Sequence, residues 1–261
     1  MNPAFAPELL SHVEDAGINA SAPREQLWVD GWLVRFSPGK AKRARCVQAV
    51  ASGRMSLDER LARCLAIYAG VGLRPYFRIT PFSQPVGLDA QLAARGMEQI
   101  DDTRVMVASL DADAPALGGE DDPLEALSFR GIEADAFAEW IGAQRGSTAE
   151  ARVAHAERIR QSPVRHRALG IVDPGGVPVA GGQIVVEGEL AGLYDIFSLE
   201  AMRGRGLARA LCRKLLQLAV VDGARVAYLQ VEASNASARR VYDRLGFADA
   251  YAYHYRSPPA D

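Results

Sequence analysis

The chain has 261 residues, 49% of them hydrophobic, which is enough for two domains of ordinary size with buried cores. Thirty basic residues nearly balance 32 acidic ones, so the formal net charge of −2 argues against nucleic-acid binding and against a polybasic membrane anchor. Three widely spaced cysteines favour buried free thiols over disulfides or a metal site, and therefore a reducing cytoplasmic location.

The first 110 residues alternate between helical and strand patterns. Helices show apolar side chains at three- and four-residue intervals, and strands are rich in aromatic and β-branched residues. The predicted order is a helix over 8–16, a strand or strand pair over 27–36, a strand over 45–51, a helix over 57–69, a strand over 76–80, a helix over 88–95, and strands to about 110.

A second set of elements follows residues 111–125, which are rich in Asp, Glu, Ala, Gly and Pro and predict an acidic, solvated linker. The predicted order is a strand over 126–130, helices over 134–145 and 149–160, a strand over 167–172, a hairpin of 179–186 with 190–199, a helix from 207, a strand over 226–231, a helix over 238–245, and a final strand.

The two sets repeat each other at a spacing of 150 residues. The matching positions are Val29 and Val179, Gly31 and Gly181, Leu61 and Leu211, Leu65 and Leu215, Ile79 and Leu229, and Gly96 and Gly246. One such match arises easily by chance, but a run of them over about 70 residues without a gap does not. We therefore predict two similar α/β domains, residues 1–110 and 126–261, descended from a duplication.

The most informative stretch is Arg203, Gly204, Arg205, Gly206, Leu207 and Ala208, which lies between a strand and an amphipathic helix. Glycines let the backbone approach a ligand, and the first N–H groups of a helix have no intrahelical acceptor. Together with the helix dipole and two arginines, they predict a phosphate site. An ordinary loop remains the alternative, and a dinucleotide fingerprint fails because Arg209 stands at its third glycine position.

A second block, from Asn235 through Tyr242 to Gly246 and Phe247, follows the phosphate loop. The pattern Arg203-x-x-Gly206-x-Ala208, followed by this block, resembles the GNAT superfamily of acyl-CoA-dependent N-acyltransferases. The resemblance implies two GNAT-like domains of the α/β class, each a mixed, mainly antiparallel sheet flanked by helices, and it implies acetyl-CoA as the cosubstrate, with no metal.

The resemblance also implies roles for individual residues. The strand near 195–199 is expected to splay from its neighbour, with the backbone of Phe197, Ser198 and Leu199 holding pantetheine and the Arg203–Ala208 loop holding pyrophosphate. Asn235 would contact the cofactor, although it could equally cap the following helix. Tyr242 would donate a proton to the departing thiolate, although its place in an apolar stripe also suits a core residue.

The general base is less well defined by the sequence. Glu232, at the end of one strand, and Asp195, within another, are the carboxylates best placed to face the cleft, although each could be merely solvated or structural. His155 and His166 fit packed or surface positions better than a base.

We expect an N-acetyltransferase that moves acetyl to a primary amine of a small molecule or peptide by direct attack in a ternary complex, because no cysteine lies where it could carry the acyl group. The alternative is an acyl-CoA-binding regulatory or assembly protein without turnover. A further possibility gives the first half only a structural role, as a cleft wall or interface. Nucleic acid is not an expected partner because the net charge is near zero, and a membrane is not expected because no run of 18 apolar residues occurs. The oligomeric state would be monomer or homodimer.

The first half is expected to bind no acetyl-CoA. At the 150-residue spacing, Gly53 replaces Arg203, Ser56 replaces Gly206 and Asp58 replaces Ala208. A carboxylate in the first helical turn suits the helix dipole but repels a pyrophosphate. One acetyl-CoA per chain is therefore predicted.

Overall fold

The computed structural model describes residues 1–118 and 127–259. The helices are α1 (Pro7–Ala20), α2 (Leu57–Gly70), α3 (Leu88–Ala93), α4 (Ala134–Gln144), α5 (Ala149–Gln161), α6 (Leu207–Val221) and α7 (Ala236–Arg244). The strands are β1 (Gln26–Val29), β2 (Trp32–Arg35), β3 (Val47–Gln48), β4 (Phe77–Ile79), β5 (Glu98–Ser109), β6 (Ser128–Ile132), β7 (Arg165–Val172), β8 (Pro178–Glu187), β9 (Leu190–Ser198), β10 (Val226–Glu232) and β11 (Ala248–Ser257).

The described strands form one sheet in the order β1-β2-β3-β4-β11-β5-β10-β9-β8-β7-β6. Neighbours are antiparallel except for the parallel pairs β3 with β4 and β9 with β10. The expectation of an α/β protein with mixed, mainly antiparallel pairing flanked by helices is confirmed.

The two halves exchange their last strands within this sheet. Strand β5 pairs with β10 from Ser109 opposite Val226 to Thr103 opposite Glu232, and β11 pairs with β4 at His254 opposite Ile79. Strands β5 and β11 also pair with each other at the centre. The last strand of the first half, β5, therefore lies beside β10 of the second half, and the last strand of the second half, β11, lies beside β4 of the first half. The domain boundary near residue 110 remains a sequence prediction.

The apolar stripes predicted from sequence form the cores. On α6, Leu211, Cys212 and Leu215 are fully buried, and on α2, Cys64 and Tyr68 are fully buried. Burying one Leu side chain contributes roughly 1.5–3 kcal/mol before entropy is counted, so these stripes hold each helix against the sheet.

Helices cover both faces of the sheet around β8 and β9. A Cβ added to Gly182 would lie 3.4 Å from Leu211 of α6, whereas one added to Gly181 would lie 2.5 Å from Trp140 of α4. A Cβ added to Gly17 of α1 would lie 2.9 Å from Gln230. Helix α6 thus lies on one face, and α1, α4 and α5 lie on the other.

Two local expectations differ from the structure. The strand expected over 45–51 is only Val47–Gln48, because its partner β4 lies between Pro75 and Pro81, which donate no hydrogen bonds. The linker was expected to be solvated, but Ala116 is fully buried in the core of the second half, because its small side chain fits beside α6. Residues 119–125 of that linker, and Ala126 of the expected first strand, lie outside the described residues.

Candidate active site

Strands β9 and β10 separate partway along their length. They pair from Leu190 opposite Val226 to Leu193 opposite Leu229 and no further. Beyond this point residues 230–232 pair with β5, and residues 194–198 pair with β8. A gap therefore opens between the two strands, at the position that the resemblance implies.

A β-bulge in β9 shapes one wall of this gap. Gly182 faces both Asp195 and Ile196, and Asp195 has a positive φ of 54°. Such a conformation is uncommon for a residue other than glycine and marks a locally constrained site. The extra residue places Tyr194 and Asp195 on the same face of the sheet, the face covered by α4 and α5.

The Asp195 carboxylate is enclosed by polar side chains from three elements. It forms an ion pair with Arg145 after α4, accepts a hydrogen bond of 2.7 Å from Gln183 Nε2, and lies 3.4 Å from His155 Nε2 of α5. Burial alone would raise the pKa of Asp195, but the hydrogen bond with His155 and the charge of Arg145 hold it well below its usual range. Asp195 is therefore ionised at neutral pH and accepts a proton weakly.

The polar network extends behind Asp195. Gln183 Oε1 lies 3.2 Å from His166 Nδ1, and His166 Nε2 lies 3.0 Å from Ser162 Oγ. Burial lowers the pKa of His166, which favours the neutral ring. Sequence reasoning missed Gln183 and Arg145, although Gln183 is a lone polar residue in the apolar run 179–186 and could have been noticed.

The Arg203–Ala208 loop leads into the N-terminus of α6. Gly204 and Gly206 have φ values of 77° and 78°, in the left-handed region where glycine is favoured. The N-cap residue of α6 is Gly206, which has no side chain that could accept a hydrogen bond from the first turn of the helix. Ser198 Oγ, at the end of β9, is buried without a hydrogen-bond partner in the described chain. Backbone N–H groups and the Ser198 hydroxyl are thus concentrated where β9 ends and α6 begins.

The residues from the second block lie around α7. Asn235 Oδ1 accepts a hydrogen bond of 3.1 Å from Ala238 N and so caps this helix. The cap uses only the oxygen, and a cofactor contact of the Asn235 amide group remains a prediction. Tyr242 packs edge-on against Phe247 in the core. Burial raises the pKa of its hydroxyl, which has no hydrogen-bond partner among residues 1–118 and 127–259.

Glu232, the other carboxylate predicted from sequence, lies at the far end of the gap. It is the last residue of β10, and its side chain is exposed. It forms no ion pair within the part of the chain that the structure describes. The structure thus separates the two candidate bases: Asp195 is enclosed and paired, whereas Glu232 is open to solvent.

The corresponding loop of the first half is occupied by the protein's own side chains. Asp30 accepts hydrogen bonds from the backbone N–H groups of Arg54 and Met55, at 2.9 and 2.8 Å, and pairs with Arg60 at 3.0 Å. Ser56 and Glu59 form a capping box at the start of α2. These carboxylates take the donors that an anion would need, and Asp30 was not identified from sequence.

A loop of the first half also reaches the gap in the second half. Arg43 Nη1 donates a hydrogen bond of 3.1 Å to Gln230 Oε1 on β10, and its guanidinium lies 5.5 Å from the centre of the Tyr194 ring on β9. Lys40 Nζ donates to the Arg145 carbonyl at 2.8 Å. The first half therefore forms part of the wall of the gap.

A sheet that opens between two parallel strands, followed by a glycine-arginine loop and an uncapped helix, is the arrangement of a GNAT-type acetyltransferase. The family model described as "Probable histone acetyltransferase Rv0428c C-terminal" matches residues 10–256, and the chain belongs to this family. The match extends through both halves.

Other known proteins are similar over most of their length. An uncharacterized N-acetyltransferase, YobR of Bacillus subtilis (strain 168), is 26% identical over 231 residues, which cover 86% of this chain and 89% of YobR. A GCN5-related N-acetyltransferase from Kribbella flavida has a TM-score of 0.68 and 16% identity, covering 98% of this chain and 96% of its own. A tandem GNAT protein from the clavulanic acid biosynthesis pathway has a TM-score of 0.62 and 16% identity, covering 83% and 76%. The latter two likenesses support the fold.

Within the described ranges, no group of three or more His, Cys, Asp or Glu side chains is arranged to hold a metal ion. None of the helices described here is both long and apolar enough to cross a membrane.

Proposed function

We propose that this acetyltransferase moves the acetyl group of acetyl-CoA to a primary amine by direct attack in a ternary complex. The observation that carries the proposal is the gap between β9 and β10, which ends at the uncapped N-terminus of α6. An extended thioester chain fits between strands that have lost their pairing, and a pyrophosphate fits the backbone N–H groups and arginines at a helix start.

The described residues supply matching groups for acetyl-CoA. The backbone of Phe197, Ser198 and Leu199 would bind pantetheine, and the unpartnered Ser198 hydroxyl adds a further donor. The Arg203–Ala208 loop would bind the pyrophosphate. The left-handed glycines of that loop keep Cβ atoms away from the anion.

Proton transfers at the gap are assigned to two side chains. As the amine nitrogen bonds to the acetyl carbon and the carbon–sulfur bond breaks, Tyr242 would protonate the departing thiolate, and its raised pKa keeps it in the donor form. The amine proton would pass, through water, to a carboxylate. Glu232 is the better candidate, because Asp195 is already neutralised by Arg145 and serves to position groups in the wall.

Direct attack is also supported by the cysteines. Cys46, Cys64 and Cys212 are all buried, and burial raises the pKa of each thiol, to about 11, 12 and 12. Nucleophilic attack requires the thiolate, which is scarce at such values. None of the three is therefore a good carrier of an acetyl group.

The proposed function is tested by calorimetry with acetyl-CoA and by thiol release with a panel of amines and peptides. The expected result is binding with a stoichiometry near one and amine-dependent release of CoA. Binding without release under every acceptor would instead support the acyl-CoA-binding regulatory protein. Absence of acetyl-CoA binding would contradict both functions.

A further inference from the structure

The loop of residues 37–45, between β2 and β3, brings a cation from the first half to the gap. Its tip is a short helical turn, Lys42–Ala44, and Lys42 forms an ion pair with Asp101. Arg43 contacts Tyr194 of β9 and Gln230 of β10, one on each side of the gap. The position of Arg43 is therefore set by both halves of the chain.

The Arg43 guanidinium is charged, and only some of its N–H donors have hydrogen-bond acceptors among the described residues. Its hydrogen bonds go to two neutral groups, the Gln230 amide and the Tyr253 hydroxyl, and its Nε atom is buried without a partner among the described residues. No carboxylate pairs with Arg43 in the described part of the chain. A guanidinium can offer five N–H donors in a planar fork, so Arg43 retains capacity for a bidentate anion.

A second guanidinium lies nearby on α5. Arg158 follows His155 by three residues and so lies on the same helix face. Arg158 Nη1 lies 3.8 Å from the position that a Cβ atom on Gly39 would occupy. Arg158 therefore packs against the 37–45 loop, which also carries Arg43. Burial lowers the pKa of Arg158, Arg43 lowers it further, and Asp195 opposes both.

The charges around this wall do not balance. Asp195 is the carboxylate that faces Arg158, and it is already paired with Arg145. Arg43 and Arg158 therefore leave an excess of positive charge beside the gap, as counted over residues 1–118 and 127–259. Half-buried cations without counter-ions are costly for a fold and are commonly offset by a ligand of opposite charge.

We propose that the acceptor amine also carries an anionic group, a carboxylate or a phosphate ester, and that Arg43 and Arg158 bind this group. The inference rests on the proposed function and names its substrate class. It assigns acceptor recognition partly to the first half of the chain. The anionic group would lie on the face covered by α1, α4 and α5, and the amine would point into the gap.

The test uses the full-length chain, saturating acetyl-CoA and matched acceptors that differ in one anionic group: β-alanine against propylamine, and phosphoethanolamine against ethanolamine. The expected kcat/KM is at least about tenfold higher for the acidic member of at least one pair, since a charge-assisted hydrogen bond contributes about tenfold to hundredfold in binding. The pair that responds distinguishes carboxylate from phosphate.

Substitutions locate the effect. Arg158→Gln and Arg43→Gln should each lower the ratio of kcat/KM for the acidic acceptor to kcat/KM for the neutral acceptor about 10- to 100-fold. Arg158→Lys should recover part of the loss by restoring the charge. Arg160→Gln is the matched control, because Arg160 is two residues further along α5 and pairs with Asp135 at the surface.

Three outcomes would overturn the inference: equal use of both members of each pair, preference for a basic lysine-rich peptide, or equal losses for acidic and neutral acceptors in the arginine variants. If no small acceptor is turned over, calorimetry with the CoA-loaded protein replaces kinetics, and no preference for the acidic member overturns it. Failure of acetyl-CoA itself to bind would instead overturn the proposed function, which separates the two failures.

Discussion

Replacement of Gly206 by Asp, compared with replacement by Asn, separates charge from backbone effects at the proposed phosphate loop. Gly206 has φ 78° and ψ −3° and precedes the first residue of α6. A side chain in this left-handed conformation costs roughly 1–2 kcal/mol, and Asn and Asp tolerate it better than other residues. Both variants should therefore lose similar stability, about 1 kcal/mol, and retain the fold.

The two variants should differ strongly in acetyl-CoA affinity. At about 5 Å and an effective dielectric constant of about 40 to 80, suited to a partly exposed loop, like charges repel by about 0.8–1.7 kcal/mol. Two pyrophosphate charges give about 2–3 kcal/mol, so Gly206→Asp should bind about 30- to 150-fold more weakly than Gly206→Asn.

Calorimetric titration with acetyl-CoA measures this ratio, and thermal unfolding checks that the two proteins are equally folded. The ratio should fall as salt rises, because the screening length shrinks from about 10 Å at 0.1 M to about 3 Å at 1 M. Dissociation constants that agree within about threefold, or a ratio insensitive to salt, would refute the assignment of this loop to the pyrophosphate.

Three further predictions follow from the site. Tyr242→Phe should lower kcat on the order of 10²- to 10⁴-fold with unchanged acetyl-CoA affinity, and a wild-type rate would make Tyr242 a packing residue. Because the pKa of Asp195 is lowered, its protonation should not reduce kcat/KM above about pH 4. The ionised Asp195 should stabilise the fold above about pH 3.9, and this stabilisation should be lost as the pH falls through the lower pKa of the folded state. Comparing the denaturation of Asp195→Asn and the unchanged protein over a series of pH values tests this. Acetyl-CoA should titrate to one per chain, and Asp30→Asn should lower the melting temperature without changing that stoichiometry; a value near two would contradict the filled first-half loop.

The glycine-arginine loop before α6 and the helical cores could be predicted from sequence because their signals are local. Glycines before an apolar stripe require no knowledge of distant residues, and α6 begins at Leu207, where the pattern places it. The 150-residue repeat is also a property of the sequence alone. Individual strand lengths were less certain, as the short β3 shows, because a strand extends only where a partner pairs with it.

The tertiary structure determined which strands pair and which side chains contact each other. The exchange of β5 and β11, the Asp195 network and the contact of Arg43 with Gln230 join positions tens to nearly 200 residues apart. Such contacts leave no periodic signal, and a carboxylate in a sequence looks the same whether it is solvated, like Glu232, or enclosed, like Asp195. The sequence alone therefore determined the fold class and the position of the glycine-arginine loop before α6, while the fold decided which side chains face the gap and that the first half supplies one of them.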